Sequence, residues 1–307
     1  MVEKTYDAVI VGAGPAGITA AAALKRSGFE IRLFEMSRPG GLLLHAGWVE
    51  NFPGVRESMD GETLASAFLS KLEALGVEPV MEEVLGWEKA GELFSVTTAK
   101  AACRSAALIL AAGTKPLIPD FSVSSGCGGT GRVTADYLEV RSRPPSSVII
   151  VGGGDAAFDY ALSLAARGWK VTIAYRALEP KALGLLVERA GRVPAISQAG
   201  SFTPSRIECA TDAAVLYGMD SAGGEEKALE AGCILTATGR TPRDDLAGGI
   251  DMPGNLSGGI ESVPGLFIAG DMRRSRSRQA VIAAGDGMAS AMAAASYLQS
   301  RRASSTL

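Results

Sequence analysis

Asp7-Ala8-Val9-Ile10-Val11-Gly12-Ala13-Gly14-Pro15-Ala16-Gly17 is the stretch whose reading decides the fold. A short β-branched apolar run enters a glycine turn, and an Ala-rich stretch follows to Lys25-Arg26-Ser27-Gly28. That order is strand, turn, helix and glycine stop. The next segment, Glu30-Ile31-Arg32-Leu33-Phe34-Glu35, reads as a second strand ending on a carboxylate, about 20 residues beyond the turn. The pieces make one βαβ dinucleotide fingerprint. Gly12 permits the sharp turn, Gly14 lets the backbone approach a pyrophosphate, and Gly17 lets helix and strand pack closely. Pro15 and Ala16 open the helix, whose unpaired N–H groups and dipole attract phosphate, while Glu35 is placed to accept from a ribose hydroxyl pair.

The pattern recurs. Val148-Ile149-Ile150-Val151 leads into Gly152-Gly153-Gly154-Asp155-Ala156-Ala157, then a helical stretch to Arg167-Gly168, then the strand Lys170 to Ala174. Ala157 stands in the place of the third glycine. One chain with two dinucleotide folds calls for two dinucleotides, and the economical pair is a tightly held flavin and an exchangeable nicotinamide. The length of 307 residues fits two domains at roughly 150 residues each. The 38 glycines signal tight turns rather than disorder, because 47% of the chain is apolar and only 21% charged.

Composition also excludes several classes. A net charge of −3 gives no global reason to expect nucleic acid or an anionic membrane surface. Cysteines stand at 103, 127, 209 and 233, with no Cys-x-x-Cys, and read as reduced thiols of a cytoplasmic protein. Cys103, Cys209 and Cys233 are expected to be small buried apolar residues, and Cys127 a thiol of the Ser124 to Thr130 loop. His45 is the sole histidine, which argues against His-based metal sites and a Ser-His-Asp triad. The apolar run from Ala8 to Leu24 is interrupted by its glycine turn, and no other segment is read as approaching the ~20 apolar residues of a membrane span. A soluble protein without membrane contact is expected.

With these residues on the page, the chain resembles the low-molecular-weight thioredoxin reductase-like flavoproteins, which have the class II pyridine nucleotide-disulfide oxidoreductase fold. Besides the two turns, the resemblance rests on Gly40-Gly41 before Val49-Glu50-Asn51-Phe52-Pro53-Gly54, and on the connectors Ala112-Gly113-Thr114 and Ala237-Thr238-Gly239. It rests further on Gly265 to Gly270-Asp271, followed by Arg278-Gln279-Ala280. It implies an α/β protein of two Rossmann-like three-layer dinucleotide-binding domains, the nicotinamide domain inserted into the FAD domain. FAD would occupy residues 1–116 with 243–307, and NAD(P) residues 117–242. Implied FAD contacts beyond the first turn are Gly40, Gly41, Leu42, Asn51, Ala112, Gly113, Thr114, Gly270, Asp271, Arg278, Gln279 and Ala280. Implied NAD(P) contacts are Gly152, Gly154, Asp155, Ala156, Ala157, Arg176, Lys181, Ala237, Thr238 and Gly239. A homodimer through the FAD domain is also implied.

The activity so implied is hydride transfer between NAD(P)H and flavin, with electrons exchanged with an external partner such as ferredoxin, flavodoxin or a small molecule. Thioredoxin reductases carry a Cys-x-x-Cys shortly before the second turn. Here the corresponding stretch, Val133 to Leu138, has no cysteine. An atypical disulfide reductase using separated or partner thiols therefore stays open, as does a flavin-binding protein without nicotinamide turnover. In place of a His-Arg-Arg cluster for a 2′-phosphate stands Tyr175-Arg176 with Lys181, a partial clamp that leans to NADPH over NADH. Phe158-Asp159-Tyr160 is closer to thioredoxin reductase-like ferredoxin–NADP reductases, although the carboxyl end is short for the aromatic extension of those enzymes. His45 and Cys127 are candidate catalytic residues. Arg273, Arg274 and Arg276 lie in a run of four arginines that would dock an acidic electron carrier.

Overall fold

Ala8 to Val11 are exposed by 5% or less, as expected of a central parallel strand covered on both faces. The computed structural model describes residues 4–55, 59–220, 224–247, 263–273 and 277–304. In chain order the first elements are β1 (Thr5–Val11), α1 (Pro15–Arg26), β2 (Ile31–Glu35) and α2 (Gly61–Glu73). Strands β3 (Val80–Met81), β4 (Val84–Ala90), β5 (Leu93–Thr98) and β6 (Ala102–Leu110) follow. Then come β7 (Thr114–Pro116), β8 (Ser122–Val123), β9 (Val133–Thr134), α3 (Tyr137–Arg141), β10 (Ser147–Val151) and α4 (Asp155–Ala165). Next are β11 (Lys170–Ala174), α5 (Gly184–Gly191), β12 (Ile196–Ala199), β13 (Phe202–Cys209), β14 (Ala214–Asp220) and β15 (Glu225–Ala231). The chain ends with β16 (Cys233–Thr236), β17 (Arg240–Pro242), β18 (Leu266–Ile268) and α6 (Ala280–Ser304).

The chain divides into two compact units. The first comprises Met1–Leu44, Val49–Lys115 and Thr241–Leu307, and the second His45–Trp48 with Pro116–Arg240. The first unit is built on a seven-stranded sheet ordered β3-β2-β1-β6-β5-β4, with β18 also pairing β6. Strands β3, β2, β1 and β6 are parallel, with Val9 beside Arg32 on one side and Leu108 on the other, whereas β4, β5 and β6 run antiparallel. Apolar clusters cover the sheet, one of them joining Ile10 and Ile109 to α1 and α6. Pro15 sits in the first turn of α1, where its missing N–H is harmless, and Lys25 and Arg26 complement the dipole in the last turn. An Asp60 carboxylate oxygen accepts from Thr63 N at 2.7 Å and so starts α2.

Helix α6 is the described helix long and apolar enough to cross a membrane by composition, a length of apolar sequence that the reading of the chain had not expected. Packing explains its alanines. A Cβ on Gly287 would stand 2.1 Å from Ala16 O, and Ala283, Ala291, Ala294 and Leu298 are buried in the cluster shared with α1.

The second unit holds a parallel sheet ordered β12-β11-β10-β16-β9 and a four-stranded sheet ordered β15-β14-β13-β8. Strands β13, β14 and β15 are antiparallel, and β8 joins β13 in parallel. Ile149, Val151, Phe202, Ile207, Leu216 and Ile234 share an apolar core from both sheets.

Candidate functional site

The first glycine turn is closed by backbone contacts that a side chain would destroy. Gly12 has φ +101, and a Cβ there would lie 2.4 Å from Ala111 O; one on Gly17 would lie 1.8 Å from Gly12 O. Gly14 differs, because an added Cβ meets nothing within 4 Å. It is the N-cap of α1 without a side-chain hydrogen bond, at the helix end whose first N–H groups have no acceptor within the helix. Gly40 and Gly41 fold over this turn, with Gly40 N donating to Ala13 O at 2.7 Å and both glycines in the left-handed region. Leu42 continues directly into the short 3-10 turn Gly41–His45. Glu35 is buried and accepts from Ala13 N at 2.8 Å and from Ser37 N at 2.9 Å, one carboxylate oxygen each. It therefore shapes the turn itself, a role beyond the ribose contact read from sequence.

Of the other FAD candidates of the first unit, Ala112 and Gly270 lie against the same turn. Ala112 Cα would lie 3.1 Å from a Cβ on Gly12, Gly113 O accepts from Arg243 N at 3.1 Å, and Thr114 is buried. Gly270 has φ +69, and a Cβ there would meet Ala16 Cβ at 2.8 Å, which brings Asp271 to the start of α1. Asn51 Nδ2 donates to Gln279 Oε1 at 2.8 Å across 228 positions of sequence. Arg278 precedes this pair partner and Ala280 opens α6. These residues fit a dinucleotide: an open glycine at a helix start, flanked by polar groups, is what a pyrophosphate requires.

The second unit repeats the device. A Cβ on Gly152 would lie 2.3 Å from Ala237 O, whereas one on Gly154 meets nothing within 4 Å. Ala156 is exposed and Ala157 buried at the start of α4. Asp155 accepts from Leu183 N at 2.8 Å, and Lys181 N donates to Gly153 O at 2.7 Å, so the basic loop after β11 folds back to the turn. Arg176 is exposed and pairs with Asp120 at 3.3 Å. Thr238 and Gly239 follow Ala237 on the connector, where Gly239 O accepts from Leu117 N at 3.0 Å.

His45 lies in the second unit together with an aromatic and acidic cluster. Its Nε2 is 3.7 Å from Asp136, its ring is 6.1 Å from Tyr137 and 6.4 Å from Tyr160, and those two tyrosines stack at 4.6 Å. Tyr137 and Ser163 share a 2.5 Å hydroxyl contact. Asp159 accepts from Gly47 N at 2.8 Å and Trp48 N at 3.3 Å, which fixes the 45–48 segment on α4. Sequence reasoning flagged His45 but missed Asp136, Tyr137 and Ser163, which carry no local motif.

Shielding from water pushes the Tyr160 phenol up to about 12. The folded state thus holds a proton that the unfolded state loses near 10. The stabilisation is fully present below pH 10 and is lost as pH rises through about 12. Tyr160→Phe is expected to remove this alkaline dependence, about 1.3 kcal/mol, in urea unfolding compared at pH 9 and pH 11.

Two expectations are corrected. Cys127 and Cys209 are not separate thiols but form a disulfide, Cα to Cα 5.0 Å across 82 positions of sequence. The parallel pairing of β8 with β13 brings them together, and Cys103 and Cys233 are buried and lie outside the disulfide. Arg273 is not a surface docking residue: it is buried with Asp286, 3.8 Å away and equally buried. Arg274 and Arg276 lie outside the described residues.

Residues 6–287 match the family model described as pyridine nucleotide-disulphide oxidoreductase. A thioredoxin reductase of Streptomyces clavuligerus is 31% identical over 304 residues, covering 95% of this chain and 94% of that protein. One of Treponema pallidum is 31% identical, covering 96% and 98%. The crystal structure of Lactococcus lactis thioredoxin reductase superposes with a TM-score of 0.85 at 27% identity, covering 96% of this chain and 99% of that one.

Proposed function

Since this chain belongs to the pyridine nucleotide-disulphide oxidoreductase family, in its thioredoxin reductase-like branch, we propose that it is an NADPH-dependent flavoenzyme reducing an external acceptor. FAD is assigned to residues 1–116 with 243–307, and the nicotinamide dinucleotide to residues 117–242. The observation that carries this reading is the pair of glycines, Gly14 and Gly154, each open at a helix start and each flanked by closed, clash-limited glycines. Bound flavin supplies two-electron chemistry between nicotinamide and acceptor.

The chain's own residues bind and orient. Gly14 with Pro15 and Ala16 presents N–H groups to the FAD pyrophosphate, and Gly40, Gly41 and Leu42 close over it. Asn51 and Gln279, held to each other, and the start of α6 at Ala280 would hold the polar edge of the flavin ring. Arg176 and Lys181 supply cations beside the second turn, and no carboxylate stands at the end of β11 to repel a 2′-phosphate. His45, beside Asp136, is the candidate catalytic side chain of this reading. A homodimer through the FAD-binding unit completes the reading.

A charge-assisted contact to the 2′-phosphate is worth about 1.5–3 kcal/mol, so Arg176→Gln is expected to raise the half-saturating NADPH concentration for flavin reduction about 10- to 100-fold. The NADH value should stay within about threefold, as NADH has no 2′-phosphate to lose. Equal effects on both nucleotides would remove Arg176 from the clamp. A second reading, an atypical disulfide reductase, is favoured by Cys127–Cys209, the one disulfide among the described residues. Anaerobic NADPH that generates two new thiols supports it; an unchanged thiol count excludes the pair from the electron path.

A further inference from the structure

The two cysteines of the disulfide are unequally buried. Cys127 is 6% exposed and packs with Ile149, Val151 and Ile207 in the core of the second unit, whereas Cys209, the last residue of β13, is only half-buried. The segment around Cys127 is lightly attached. It contains glycines at 126, 128, 129 and 131, the last two at φ +72 and +66. Its backbone bonds from Cys127 to Thr130 are turns within itself, and Ser124 N to Ile207 O is its tie to β13. Strand β8, just before it, pairs with β13 through Ser122 and Val123 alone. Asp120, two residues ahead of β8, is the carboxylate that holds Arg176.

We propose that Cys127–Cys209 is a thiol–disulfide exchange site, attacked at Cys209 by an external dithiol, and that opening it loosens residues 120–131 and their hold on Arg176. A thiolate of the dithiol attacks Cys209 Sγ, forms a mixed disulfide and expels Cys127 as a thiolate that takes up a proton. The second thiolate of the reductant then closes on its own sulfur, freeing Cys209 as a thiol and leaving the reductant as a disulfide. Two electrons and two protons pass from the dithiol to the protein. Attack at Cys209 follows from access, because Cys127 is the more buried residue of the pair. Cys233 is a built-in control: it is buried, and burial pushes its thiol up.

The test uses folded, unreduced protein treated with millimolar dithiothreitol, quenched by alkylation and mapped by mass spectrometry. Two protected sulfurs before treatment are expected, then labelling of Cys127 ahead of Cys209, which the mixed disulfide still shields, with circular dichroism unchanged. In single variants, Cys209 in Cys127→Ser should attack glutathione disulfide, releasing glutathione and forming the mixed disulfide, about tenfold faster than Cys127 in Cys209→Ser. The wild-type labelling order stands even if either variant fails to fold. Four free thiols at the outset, or a pair that yields only on global unfolding, would overturn the proposal. The coupling to Arg176 rests on the clamp reading above, whereas the labelling order does not. Losing an exposed ion pair is worth up to about 1 kcal/mol, so reduction should tighten NADPH binding about threefold and leave NADH unchanged. Equal NADPH affinity in the two forms would overturn the coupling.

Discussion

Gly14→Val is expected to give a folded protein that purifies without flavin colour. The backbone of Gly14, at φ −79 and ψ −177, suits any residue, and its missing Cβ faces open space in the protein. The substitution therefore costs the apoprotein less than about 1 kcal/mol. A pyrophosphate oxygen must come within about 3 Å of the helix-start N–H groups, and the valine methyls occupy that path. An FAD affinity loss of at least about 100-fold is expected, read as the ratio of flavin to protein absorbance after purification. The control is Gly17→Ala, whose Cβ would stand 1.8 Å from Gly12 O. It should lower stability by on the order of 3 kcal/mol or leave insoluble protein, because helix and strand must separate. A Gly14→Val protein that stays fully yellow would show that the first turn is not the phosphate cradle.

Gly154→Val should separate the two nucleotides. Its backbone, φ −98 and ψ 179, also suits any residue, and its Cβ also meets nothing within 4 Å. This protein is expected to remain yellow and to melt as the wild type does. Its flavin should be reduced by NADPH at least about 100-fold more slowly at limiting nucleotide, the cost of about 2.7 kcal/mol of lost phosphate contact. Stopped-flow measurement of flavin bleaching decides it. Unchanged rates would mean that the second turn binds no dinucleotide, however well it copies the first.

Much of this was readable from residues because it is local. A β-branched run, a glycine turn and an alanine helix are neighbours in sequence, and Gly17 is a glycine for a reason confined to one turn, whereas Gly12 and Gly152 lie against the distant backbone of Ala111 and Ala237. Asn51 and Gln279 were named separately on resemblance, and the fold joins them. What stayed hidden depends on pairings between distant strands. Nothing near Cys127 signals Cys209, because their meeting is set by the register of β8 on β13, with Val123 beside Ile207. The arginine run was read as a docking surface for an acidic carrier, yet Arg273 turns inward to Asp286 of α6, a partner thirteen positions on that no charge count reveals. His45 was visible as a lone histidine, but its neighbours come from α3 and α4, and Asp159 reaches the 45–48 segment through backbone N–H groups that any sequence would supply. Glu35 was read for a ribose and is found bracing Ala13 and Ser37, since a buried carboxylate must satisfy both oxygens.

The central claim, two dinucleotides serving one electron path, is tested most directly by anaerobic titration of the purified protein with NADPH and then NADH, following the flavin absorbance. The account predicts that NADPH bleaches the flavin rapidly and near stoichiometrically, with NADH requiring higher concentrations. If neither nucleotide bleaches a flavin that dithionite reduces, the second unit does not deliver electrons from a free nicotinamide, and the account fails at its centre.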